Sequence, residues 1–332
     1  MKKKINSLFL LVIMLSLFLY LFFNRQAYEF SGYTMGTTYK VVIYARLINS
    51  EKLREMKVAI EDELYKLNLI FSTFEPNSEV SKLNSASVNV KYDLGDELYS
   101  VLSLAKETYL ETNGYYDPTV DPLVRLWGFG RENKYTYPST LEIESMLSFV
   151  GYDKLIIADN SVVKKENVTI DLASIAKGYA VDRLVAVLTK FEQKDFMVEI
   201  GGELYVKGDE FYRDGWDVII VNPENNNSAM LMLRLKNKGV ATSGSYRNFR
   251  LHEGGKKYHH IIDVKTGYPV FNDLLSVTIV ADNVAKADAL ATGIFVMGTE
   301  AGLQLINSLK DVEGVLIEKR EKGLKVIKSS GL

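Results

Sequence analysis

The stretch FMVEIGGELYVK, residues 196–207, holds two apolar-alternating runs, Phe196–Ile200 and Glu203–Lys207, broken by Gly201-Gly202. Short runs of this kind bounded by turn residues read as strands. The same character continues through Trp216–Val221, Met230–Leu235, Val240–Ser243, His259–Val264 and Leu275–Ala281. Upstream the period changes. After a strand at Lys40–Tyr44, Ser50 caps a helix with Leu53, Met56, Ile60, Leu64 and Leu67 at helical spacing. A second helix runs from about Asp96 to Thr112 and stops at Asn113-Gly114. The capping box Ser139-x-x-Glu142 opens a third, ended by Gly151, and a fourth runs from about Ser174 to Lys190. Helices at Val284–Met297 and Glu300–Leu309 follow the strands, and a hairpin around Glu321-Lys322-Gly323 closes the chain. Helices segregated from a run of strands predict an α+β fold, mainly antiparallel sheet with packed helices, rather than a doubly wound nucleotide fold.

The composition fits one folded body. The chain has 332 residues, 47% hydrophobic and 25% charged, with no cysteine. Absent cysteine excludes disulfides, thiolate metal sites, a cysteine nucleophile and a lipid-modified N-terminal cysteine. Setting aside Lys2, Lys3 and Lys4 leaves 37 basic against 42 acidic residues, so nothing electrostatic favours nucleic acid.

Those lysines precede the apolar run Leu8–Phe23, LFLLVIMLSLFLYLFF, whose one weakly polar residue is Ser16. Its length is at the short end of a spanning helix, which takes roughly 17–25 residues. The lysines outnumber Arg25, which places the N-terminus in the cytoplasm and the body outside. Asn24-Arg25-Gln26-Ala27 is a poor cleavage context, so an uncleaved anchor is favoured over a cleaved signal peptide. The expected organisation is a signal or membrane anchor over 1–27 and a single catalytic domain over 28–332. The expected location is the cell membrane, with the catalytic domain on the extracytoplasmic side.

Seven segments are rich in glycine, hydroxyls and carboxylates, the material of sites built at turns. Thr34-Met35-Gly36-Thr37 is a turn whose methionine can lie on a planar ring. Phe71-Ser72-Thr73-Phe74 follows a helix end, and Phe74 can stack on a flat ligand. Gly114-Tyr115-Tyr116-Asp117-Pro118 begins a stretch with two Asp-Pro pairs, which fix extended or turn geometry; Asp117 could accept hydrogen bonds there. Gly128-Phe129-Gly130 lacks the third glycine of a dinucleotide fingerprint. In Asp171-Leu172-Ala173-Ser174-Ile175-Ala176-Lys177-Gly178, a strand ends at Asp171 and helix amides follow, a natural pyrophosphate cradle. Thr242-Ser243-Gly244-Ser245-Tyr246-Arg247 is a polar glycine-hinged loop. In the strand through His259 and His260, alternation puts the two on opposite faces, so one reaches a shared site. His252 sits in a glycine-rich hairpin tip at the surface. Asp288 and Thr292 are i and i+4 on one helix face, oxygen ligands suited to Mg²⁺. Taken singly, most of these segments read first as turns, caps and core, and only for Asp171–Gly178 are the two readings close.

Their order does not. The sequence resembles the ApbE-like flavin transferases, the FAD:protein FMN transferase family, from Met35-Gly36-Thr37 through Phe71-Ser72-Thr73-Phe74 and Tyr116-Asp117-x-Thr-Val. The resemblance continues with Leu126-Trp127-Gly128-Phe129-Gly130, Asp171 to Ala180, Ile200-Gly201-Gly202 and Thr242-Ser243-Gly244. It ends with His260-Ile261-Ile262-Asp263 and Ala287-Asp288-Ala289-x-Ala-Thr292. It implies a two-layered α+β fold and a Mg²⁺-dependent transfer of the FMN half of FAD to a threonine or serine hydroxyl of an acceptor protein, releasing AMP. It implies that Met35, Phe74, Tyr115, Tyr116, Asp117, Asp171, Lys177 and Ile262 line the FAD site. Asp288 and Thr292 would bind the metal with an oxygen of the Ala173–Ser174 turn and Ala291 in the shell, and His260 would assist catalysis. Mn²⁺ is not distinguished from Mg²⁺ at an all-oxygen site. Two departures stand out: Ala173-Ser174 leaves open whether a carbonyl or a hydroxyl meets the metal, and Val264 replaces a frequent proline. Hydrolysis of FAD to FMN and AMP, flavin binding without turnover, and a tethered structural module are the alternatives.

Overall fold

A computed structural model describes residues 9–15, 25–130, 137–210, 213–246, 248–251 and 257–332. The expectations for Lys2 to Lys4, for most of the Leu8–Phe23 run, and for Arg247 and His252 lie outside these residues. Residues 9–15 are helical and exposed. Among the described residues, no helix is long and apolar enough to cross a membrane.

The centre is an eight-stranded antiparallel sheet. In spatial order it contains β1 (Gln26–Thr34), β2 (Thr37–Ala45), β6 (Phe196–Ile200), β7 (Glu203–Lys207), β10 (Lys238–Gly244), β13 (Leu274–Ala281), β14 (Glu313–Arg320) and β15 (Gly323–Lys328). Period-two alternation gives the sheet two apolar faces. On one, Val41, Ile43, Phe196, Val198, Ile200, Ala241, Val277, Ile279 and Leu316 join the main core. That core is completed by α1 (Ser50–Phe71), α3 (Asp96–Glu111), α6 (Ala176–Lys190) and α7 (Val284–Met297). On the other face, Val206, Val240, Val280, Val315 and Ile317 are covered by a two-stranded ribbon of β8 (Trp216–Asn222) and β9 (Asn225–Leu235). The ribbon contributes Trp216, Val218, Ile220, Leu233 and Leu235.

Smaller elements complete the body. They are α2 (Glu79–Ser85), α4 (Asp121–Leu126), α5 (Thr140–Leu147) and α8 (Thr299–Ser308), a sheet of β3 (Lys91–Asp93), β5 (Ser161–Lys164) and β4 (Leu155–Ala158), and the pair β11 (Phe249–Leu251) and β12 (Lys257–His259). A separate cluster of Leu123, Trp127, Ile143, Tyr258 and Ile262 lies beneath that pair.

The α+β class with antiparallel sheet is as expected, and four details are corrected. Asn49, not Ser50, caps α1, accepting from the Lys52 amide at 2.8 Å. The strand expected over His259–Val264 ends at His259, and only an isolated bridge, Ile262 to Pro269, follows. Residues before Asp171 are not a strand: they form an extended loop pinned by the Ile170 amide on the Asn84 side chain and the Asp171 amide on the Pro118 carbonyl, both 2.8 Å. The β8–β9 ribbon makes a third, partial layer where two were expected.

Candidate active site

One end of the central sheet gathers its turns. The β1–β2 turn carries Met35 and Gly36 at φ of 47° and 74°, and the β6–β7 turn carries Gly201 and Gly202 at 63° and 109°. The two turns are fastened together, since the Gly201 amide donates to the Thr38 carbonyl at 3.1 Å. Beside them β10 ends at Ser243 and Gly244. Helices α6 and α7 meet at very short range. A Cβ on Gly178 would lie 2.5 Å from the Val284 carbonyl oxygen, so only glycine allows the approach. That approach lets the Gly178 amide donate to Asp288 Oδ2 at 3.1 Å.

Asp288 and Thr292 face the same way from α7, one turn apart. Asp288 is 4% exposed, and burial pushes its carboxyl up while the Lys177 ammonium and the Gly178 amide oppose. The Thr292 and Ser243 hydroxyls are 2.9 Å apart. Lys177, in the first turn of α6, places Nζ 2.9 Å from the Ala173 carbonyl oxygen and 3.7 Å from both Asp288 Oδ2 and Glu203 Oε2. Burial disfavours its charge, but Asp288, Glu203 and Asp171 outweigh that and raise its pKa.

The donor set fits a hard divalent cation. One carboxylate, one hydroxyl and one backbone carbonyl are all oxygens, and a positive charge already sits at the focus of Ala173 O, Asp288 and Glu203. Among the described residues no group of three His, Asp or Glu side chains gathers as a metal cage. A single carboxylate with room for water and phosphate oxygens is the Mg²⁺ pattern. Ala291 is fully buried.

His260 stands at the rim. Its Nδ1 is 3.1 Å from the Asn248 carbonyl oxygen, and its ring meets Phe129 edge-on at 6.2 Å. A carbonyl only accepts, so Nδ1 carries the hydrogen and Nε2 keeps a lone pair. Burial lowers the His260 pKa; the Asn248 carbonyl opposes this and nearby Lys177 reinforces it. His259 points into the core against Phe295, with its pKa brought down to about 4, chiefly by burial. His260 lies just past the end of β12, so the chain's course after the strand, and not strand alternation, separates the two histidines.

The other expected residues divide. Asp171 accepts from the Ala173 amide at 2.8 Å, and its carboxyl is raised by burial while the charges of Lys177 and Arg125 act against the rise. The Tyr116 phenol, 1% exposed, is pushed far up by burial, with Ser174 opposing and Asp288, Asp117 and Asp171 reinforcing. Asp117 is engaged inside the protein: Oδ1 accepts from the Thr119 amide and hydroxyl at 2.8 and 2.6 Å, and Oδ2 from the Tyr152 amide at 2.9 Å. It shapes the loop that carries the two tyrosines. The Lys265 ammonium lies 3.4 Å over the Tyr115 ring. Phe74 is 61% exposed on the loop after α1, and Met35 packs half-buried on the main core. Ile262 is buried in the separate cluster with Trp127. Glu203 was not among the expected site residues. A carboxylate at the head of β7, 4% exposed and facing Lys177, is indistinguishable in sequence from a solvent-facing strand residue.

Known proteins resemble this chain in sequence and fold. The sequence model of the ApbE family matches residues 35–316. The FAD:protein FMN transferase of Haemophilus influenzae is 34% identical over 319 residues, covering 92% of this chain and 90% of that protein. The protein of the same name from Vibrio cholerae is 34% identical over 305 residues, covering 90% of each. The solved structure of the flavin transferase ApbE from Vibrio cholerae superposes with a TM-score of 0.84 at 32% identity, over 92% of this chain and 98% of that one. With the family model spanning most of its length, this chain belongs to the ApbE family.

Proposed function

We propose that this chain is an FAD:protein FMN transferase, an enzyme that moves the FMN half of FAD onto a protein hydroxyl. The observation that carries the chemistry is the juxtaposition of the Asp288–Lys177–Ala173 cluster with a neutral histidine whose Nε2 is free to accept a proton. The acceptor hydroxyl, from threonine or serine, attacks the phosphorus on the riboflavin side of the pyrophosphate. A new P–O ester bond forms as the anhydride P–O bond breaks, and the bridging oxygen leaves with AMP. His260 Nε2 takes the hydroxyl proton. Lys177 and the first amides of α6 oppose the charge growing on the leaving phosphate. Asp288, Thr292 and the Ala173 carbonyl would hold Mg²⁺, which when bound neutralises pyrophosphate oxygens and polarises the phosphorus. Tyr116, Asp171, Met35, Phe74, Tyr115 and Ile262, with Asp117 behind them, are assigned to the flavin nucleotide by the resemblance.

The test is a mass measurement. An acceptor protein incubated with the enzyme, FAD and Mg²⁺ should gain the mass of one FMN phosphodiester with AMP released, and EDTA should abolish the gain. FMN and AMP without a labelled acceptor would make the enzyme an FAD hydrolase instead. The apolar run before residue 25 is assigned as the tether that keeps the domain at the outer membrane face. The full chain should then stay in the membrane pellet through alkaline carbonate washing, and its recovery in the supernatant would remove the tether.

A further inference from the structure

We propose that Lys177 and the divalent cation exchange at one position, the lysine acting as a built-in counter-ion that must leave before the metal can bind. The proposal rests on the assignment of Asp288, Thr292 and Ala173 as metal oxygens and adds the regulation of that site.

Lys177 is electrostatically misplaced. It stands in the first turn of α6, where exposed amides make a positive charge unwelcome. It is held there by oxygens: Ala173 O at 2.9 Å, with Asp288 Oδ2 and Glu203 Oε2 each at 3.7 Å. Both carboxylates are 5% accessible at the side chain, whereas the lysine side chain retains 25%. The carboxylates are thus fixed in the protein, and the cation between them is the part with a route out.

Mg²⁺ binds oxygen at about 2.0–2.1 Å. An ion on the Ala173 carbonyl would therefore stand within about 5 Å of the present Nζ, whatever its other ligands. Two cations at that range, sharing the buried Asp288, repel strongly. The flexible lysine stem can move and the carbonyl cannot. Glu203, on a different element from Asp288, offers the departing ammonium a second carboxylate. Lys177 would then face the pyrophosphate only once the metal has taken its place.

Titration calorimetry of MgCl₂ into the full chain without FAD tests this. Lys177→Met and Lys177→Gln should each bind Mg²⁺ tighter than the parent by about tenfold or more, the order expected on removing one competing charge. In EDTA both should melt below the parent, because Asp288 loses the Lys177 charge, and Mg²⁺ should raise their melting points more than the parent's. Equal or weaker Mg²⁺ binding by both variants overturns the exchange. Asp288→Asn separates the two levels. If it abolishes Mg²⁺ binding while the Lys177 variants bind no tighter than the parent, the exchange fails and the metal assignment stands. If it leaves Mg²⁺ binding intact, both fail. The parent chain gives an independent readout that needs no variant to fold: acylation of Lys177 by an amine-reactive ester, followed by peptide mass, should rise on adding Mg²⁺, and no rise overturns the proposal.

Discussion

The imidazole of His260 has one nitrogen committed and one free, and this decides what it can do. Nδ1 donates to the Asn248 carbonyl, so a proton can arrive only at Nε2. Burial and Lys177 keep the pKa below the ordinary histidine value, so the ring is neutral at pH 7 and ready to act as a base. The sign follows. Transfer should be flat near neutrality and fall only when acid reaches that lowered pKa, giving an acid limb with its midpoint below 6.5. His260→Ala should cost about 10²–10⁴ in transfer rate and erase that limb, with FAD affinity preserved. A full rate in the variant would exclude the role. His260, Asp288 and Thr292 were visible in the sequence through motif order and helical spacing. Glu203 and Asn248 were not. The first is a carboxylate that faces Lys177, 26 positions earlier, and the second acts through its backbone carbonyl, which no side-chain pattern marks.

At the scale of elements, the site depends on how closely α6 and α7 can pack. Gly178 lets the Val284 turn of α7 lie against α6, and Asp182 fastens the approach by accepting from the Val284 and Ala285 amides, both at 2.9 Å. These amides stand at the α7 N-terminus, which Asn283 caps by accepting from the Lys286 amide at 2.8 Å, so Asp182 adds to the cap and fixes the helix's position. Asp288 then arrives where the Gly178 amide can reach it. Gly178→Ala puts a methyl 2.5 Å from a backbone oxygen that has no rotamer to yield. It should destabilise the protein by about 1–3 kcal/mol in urea unfolding. Because the separation moves Asp288, Mg²⁺ affinity in the folded variant should also weaken. Lowered stability with parental Mg²⁺ affinity would mean that the contact supports the fold without placing the carboxylate. Both helices were legible from periodicity, since α7 occupies the predicted Val284–Met297. Their mutual distance was not, because a glycine inside a helix does not announce its neighbour.

Across the whole molecule, the central sheet separates chemistry from ballast. Alternation along β6, β7, β10 and β13 was legible and gave the class, but it could not show what covers the second face, since both faces are apolar. The β8–β9 ribbon covers it, as strands whose sequence reads like any others in the run. Asp288, Thr292 and Lys177 lie on the helices of the main core, His260 follows β12, and the ribbon's buried side chains lie behind the sheet. Trp216 tests this division. It is 6% exposed, meets Tyr44 at 5.5 Å between ring centroids, and donates from Nε1 to the Lys207 carbonyl at 3.0 Å. Trp216→Ala leaves a cavity and loses the Nε1 hydrogen bond to Lys207, a loss of about 3–5 kcal/mol in chemical unfolding. Trp216→Phe should recover much of that by refilling the space. Neither change touches a group that meets the pyrophosphate, so transfer per folded molecule, measured well below the melting temperature, should match the parent. A folded Trp216→Ala protein that no longer transfers FMN would show that the sheet passes strain from its covered face to the active end, and the ribbon would then belong to the catalytic machinery.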